Sequence, residues 1–224
     1  MFLANHLVGF GARGKPRTVT KTDSGTNTTN TNSYTFSAKA ITTPGIVVVG
    51  VTGFNATSDL TVLSFTIGGF AANAAVTYLE TTTGGTHTGV GIYYLYLDTG
   101  TTADVAVTFS GTQLSASVVL WSISGDNVGP NASGGDHGTT STTFSVPLAA
   151  NESHAIVAIG CSNGNGANRT CTWDSPIVED YDAAVEGNRG HTAASILLTS
   201  TITAVTGTYS GALNGRSVCA ASWA

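Results

Sequence analysis

From about residue 34 to its end, the chain carries one strand pattern twice. Thr-Phe-Ser at 35–37 recurs at 143–145, and IVVVGV at 46–51 lines up with IVAIGC at 156–161. Thr86-His87-Thr88-Gly89-Val90-Gly91-Ile92-Tyr93 parallels Gly190-His191-Thr192-Ala193-Ala194-Ser195-Ile196-Leu197. Thr108-Phe109-Ser110-Gly111 matches Thr208-Tyr209-Ser210-Gly211, and Ser117-Val118 matches Ser217-Val218. The matches keep one order while their offset falls from 110 to 100, as when a second copy loses loop residues and keeps its strands. Two such halves, at about 34–125 and 139–224, build either tandem immunoglobulin-like domains or the two sheets of one larger sandwich. The Gly-, Asn- and Asp-rich connection at 125–138 lacks the Pro-rich or charged character of an extended linker, so one compact unit over 34–224 is expected.

Composition supports the same class. Thr, Val and Ile together supply 67 of 224 residues, and β-branched side chains lose freedom in a helix while fitting a pleated sheet. Short apolar runs alternate with Gly, Asn, Asp, Ser and Thr clusters, and no segment has the spacing of a long amphipathic helix. The expectation is an all-β protein, a jelly-roll-like or immunoglobulin-like β-sandwich built from two sequence-similar halves. In GVGIYYLYL (89–97) both alternating faces are bulky, which predicts a strand buried on both sides.

Charge divides the chain. Residues 1–39 hold five basic groups (Arg13, Lys15, Arg17, Lys21 and Lys39) and one acid, Asp23. Residues 40–224 hold three basic and twelve acidic groups, with no Lys or Arg between Lys39 and Arg169. Such a body repels phosphate backbones, so no nucleic-acid partner is expected. Met1 to Ala12 is too short and too interrupted to span a bilayer, and its positive charges follow the apolar stretch rather than precede it. No membrane association is expected. Residues 1–33 read instead as an N-terminal arm and polar linker. Phe2, Leu3, Leu7 and Phe10 would pack on a neighbour, Arg13, Lys15, Arg17 and Lys21 would supply salt-sensitive contacts, and 22–33 would act as a tether.

Reaction chemistry finds little purchase. The acids fall mostly at strand ends or turns, so no carboxylate pair flanks a saccharide platform. Glu179-Asp180-Tyr181-Asp182 reads as a solvated acidic loop; it lacks the turn glycine and distal glutamate of an EF-hand. The paired positions of His87 and His191 suggest a packing or turn role, and no GxSxG elbow occurs. Three cysteines make no disulfide framework. Cys161 and Cys171 read as buried thiols, with pairing as the alternative. Trp121 and Trp223 are expected in the core and Trp173 near a surface turn. No catalytic residue, cofactor or metal is expected.

The opening MFLANHLVGFGA, the patterns SFTIGGFAA, GIYYLYLDTGTTADVAVTFSG and VVLWSISG, and the close GRSVCAASWA resemble β-rich proteins encoded among the virion structural genes of tailed bacteriophages and prophages. The resemblance implies a non-enzymatic virion component, assembled in the host bacterial cytoplasm, such as a capsid decoration or head-spike protein. Its partners would be other virion proteins, capsid or tail subunits, bound through the arm. The scarcity of lysine in the body favours homo-oligomers such as trimers. The alternative is a tail-fibre or adhesin module for a host-surface receptor or glycan.

Overall fold

The computed structural model describes residues 17–55, 61–81, 87–125, 129–164, 166–167 and 169–224. They form strands and turns, with no helix among them. The first half contains β1 (Val19–Asn27), β2 (Thr31–Ala40), β3 (Gly45–Asn55), β4 (Val62–Ile67), β5 (Phe70–Ala71), β6 (Asn73–Thr81), β7 (His87–Leu97), β8 (Thr102–Gln113) and β9 (Ser115–Ile123). The second contains β10 (Ala132–Gly138), β11 (Thr143–Ala150), β12 (Ala155–Gly164), β13 (Cys171–Trp173), β14 (Val178–Glu186), β15 (Arg189–Leu197), β16 (Ile202–Tyr209) and β17 (Leu213–Trp223).

The two halves share one topology. Their five-stranded sheets run β1-β9-β3-β7-β6 and β10-β17-β12-β15-β14, and their smaller sheets run β2-β8-β4-β5 and β11-β16-β13. In each half the first strand lies against the last and the second against the last but one, the wrapping order of a jelly roll. All these pairings are antiparallel.

The halves are neither one shared sandwich nor separate domains. Each folds its own two sheets around a core, and the five-stranded sheets then pack face to face, giving four layers and three cores. Alternation along β3 shows why its sequence is apolar without interruption. Val47, Val49 and Val51 point into the core of the first half. Ile46 and Val48 point into the central core, against Val157, Ile159 and Trp223 of the second half. A strand covered on both faces needs apolar groups at every position. The prediction for 89–97 holds for the same reason, since Tyr93 packs in one core and Ile92 in the other.

The sheets align end to end. A Cβ at Gly50 would come within 2.6 Å of Ile159, and the Arg189 guanidinium lies 5.9 Å from the centre of the Phe54 ring. Equivalent strands therefore run in the same direction. Their order is opposed, for β9 meets β14 and β6 meets β17. The halves are thus related by an approximate two-fold axis along the strands, and equivalent turns gather at the same end of the molecule.

Several boundaries shift from those expected. The polar run placed in a linker ending at 33 contains β1 and the start of β2, and β1 pairs with β9 from Val19↔Ile123 to Asn27↔Ala116. Side-chain polarity limits how much core a strand buries; it does not stop backbone pairing at a sheet edge. The loop expected at 125–138 contains β10, so the second half opens near 132. The repeat is real, but parts of its sequence alignment slip. Ser110 N–H donates to Thr61 O at 2.8 Å and Ser210 N–H to Thr170 O at 2.9 Å, so these blocks are true counterparts. Ile46, however, pairs with Ile123 while Ala155 pairs with Trp223. The counterpart of Ile46 is therefore Ala155, one residue from the sequence match, which reverses the faces. His191 pairs with Cys161 and His87 with Asn55, and by the same register His191 corresponds to Val90. The two histidines are not equivalent.

Candidate functional site

Of the residues read as an anchoring arm, Phe2, Leu3, Leu7, Phe10, Arg13 and Lys15 lie outside the described residues. Arg17 and Lys21 belong to the folded body. Arg17 bonds both halves: its Nε donates to the carbonyl oxygen of Ala224 and its Nη1 to Ser124 O at 3.2 Å. Thr18 N–H donates to Ser124 Oγ at 2.7 Å. The C-terminal strand is held alongside, since Asn131 N–H donates to Ser222 O at 2.7 Å. The start of β1 is thus fixed to the last strand of each half. The guanidinium charge and burial together lower the pKa of nearby His154. Beside this entry lies a cleft lined by Thr18, Thr42, Pro44 and Ser122. Ser124 and Ala224 sit 107 and 207 residues from Arg17 in sequence, and no local motif marks them.

Lys21 serves the seam between halves. Its ammonium lies 5.5 Å from the centre of the Tyr181 ring, a cation–π geometry, and the Tyr181 hydroxyl is 3.2 Å from Thr26 Oγ1. The other seam has a similar device, where Tyr78 packs against Gly135 and stands 5.6 Å from the His137 ring. Tyr181 lies on β14, so the acidic segment 179–182 is a strand and not a loop. Asp180 accepts a hydrogen bond from Trp121 Nε1 at 2.7 Å, tying the halves together. Asp182 accepts Cys171 N–H at 2.9 Å, and its burial raises its pKa to about 6.

The central core ends in buried polar groups. The Thr52 hydroxyl bonds the imidazole of His191, whose pKa burial lowers to about 3, so the ring is neutral at pH 7. The hydroxyls of Thr88 and Ser217 lie 3.0 Å apart, again one from each half. These contacts locate His191 in packing, as expected, near the start of β15 and between the halves.

The remaining chemical candidates are structural in their surroundings. Cys161, Cys171 and Cys219 are free and buried, and burial pushes the thiols of Cys161 and Cys171 up to about 12, far from a reactive thiolate. Trp173 lies beside the turn at 175–176 as expected, but its side chain is buried rather than at the surface; its ring meets Phe144 edge to face and its Nε1 donates to Thr192 Oγ1 at 2.7 Å. Trp121 and Trp223 fill the central core as expected. Among the described residues no group of three His, Cys, Asp or Glu side chains is placed to hold a metal ion, and no helix is long and apolar enough to cross a membrane. No family model, curated protein or solved structure matches the chain.

Proposed function

We propose that this is a non-enzymatic structural protein of a tailed-phage virion, a capsid decoration or head-spike protein held to the particle by its N-terminal segment. The observation that carries the reading is the pair of bonds made by Arg17, to Ser124 of the first half and to Ala224 of the second. A pull on the segment is therefore passed into both sandwiches rather than into one loose strand. The charge pattern agrees with it: Arg13 and Lys15 precede a body that carries all thirteen acids. The three tryptophans lie inside cores, whereas a receptor- or glycan-binding module would present such rings to its ligand. The anchoring sequence narrows to residues 2–15, because Arg17 and Lys21 are spent inside the body. Deleting 2–15 should abolish incorporation into particles while leaving the β circular dichroism spectrum unchanged. Incorporation at the normal level would overturn the reading.

A further inference from the structure

Between the two sheets of the first half lies a cavity of about 100 Å³. Its walls include Val51, Val62, Tyr93 and Phe109, with Gly53 and Gly91 where side chains would otherwise intrude. It sits at the end of the molecule opposite Arg17, between β4 and the β6–β7 edge. The two-fold relation supplies a comparison inside the same chain. Gly91 pairs with Val51 and Thr192 with Gly160, so Thr192 stands where Gly91 does. By the same register Asp182 is the counterpart of Thr77, and Cys171 that of Val62.

In the second half side chains close that place. Asp182 bridges to Cys171 N–H, Trp173 reaches Thr192 Oγ1, and the Tyr209 hydroxyl extends to 2.6 Å from where a Cβ of Gly160 would be. The fold therefore does not require a cavity at this position; the residues of the first half make one. Gly91 removes a threonine side chain and Phe109 removes a hydroxyl.

We propose that this cavity binds a small apolar molecule of single-ring size. An apolar cavity of about 150 Å³ is large enough for benzene; this one is smaller and adds Thr61 and Thr77 to its apolar lining. Here the opening beside Val62 lets part of a ring protrude. The proposal stands apart from the virion reading, although a body anchored at the Arg17 end would hold this opening outward.

The test titrates the full chain with benzene while the backbone amides of Gly53, Gly89 and Gly91 are followed by NMR. Saturable shifts confined to these residues and their neighbours, with a raised Tm, are expected. Val62→Phe, at the half-buried mouth, should weaken binding tenfold or more. Gly91→Ala should do the same from the inside; its Cβ would stand 2.9 Å from the edge of the Tyr93 ring, whose far end can move. The two variants guard against one failing to fold. Absence of saturable shifts in the parent chain would overturn the proposal, as would affinity unchanged in a folded variant or shifts spread evenly over all three cores.

Discussion

A Cβ at Gly135 would lie 2.0 Å from Cδ2 of Tyr78, so the tyrosine of one half occupies the space a side chain of the other would need. Gly135→Ala should destabilise the protein by about 1–3 kcal/mol, the usual cost of overpacking. Urea unfolding measures it, and Tyr78→Ala in the same chain should recover part of the loss if the clash is the cause. His191 gives a second prediction. Its folded pKa of about 3 lies below the ordinary 6.5, so the unfolded chain binds the proton more tightly. Stability should fall as pH drops from 6.5 towards 3, by about 1.4 kcal/mol per unit at most. Asp182 acts in the opposite sense. Its pKa is raised from 3.8 to about 6, so its contribution grows as pH falls through 6 and is complete below 3.8. Denaturation curves for His191→Asn and Asp182→Asn between pH 4 and 7 separate the two: the first should lose the acid penalty, and the second should steepen the acid decline.

At the scale of elements, the strands buried on both faces were the legible ones. β3, β7 and β9 announce themselves because nearly every position along them is apolar or small, and β12 repeats the pattern. Two edge strands, β1 and β10, were not legible. β1 reads VTKTDSGTN and β10 reads ASGGDHG, sequences with turn-forming residues and little to bury. Their structure comes from pairing with β9 and β17, neighbours remote in sequence. β14 escaped for the same reason, since its acids look solvated until Trp121 and the Cys171 amide are placed against them. Arg17 was legible only as part of a cluster of charge, for nothing in the sequence distinguishes it from Arg13 until Ser124 and Ala224 arrive beside it. Asp180→Ala removes the acceptor of the Trp121 Nε1 hydrogen bond and leaves the buried indole in place. It should cost about 1–2 kcal/mol, read by chemical denaturation; no loss would show that this bond does not hold the halves together.

At the scale of the whole molecule, the central core makes the halves interdependent. Ile46, Val48, Trp121 and Ile123 are fully buried only because Val157, Ile159 and Trp223 cover them. Calorimetry should therefore show one unfolding transition, with calorimetric and van't Hoff enthalpies agreeing. Two resolved transitions would mean that the sandwiches are independent domains. The two-fold arrangement also sets a polarity: Arg17 lies at one end, and the cavity of the first half opens towards the other. Under the proposed anchoring, the body stands away from its support along the strand direction. Cryo-electron microscopy of the intact virion measures that arrangement directly. Density for residues 2–15 should run from Arg17 into a capsid or tail subunit, with both sandwiches projecting outward. Particles that carry no copy of the body, or copies bound through its sides with residues 2–15 free, would contradict the anchored structural role.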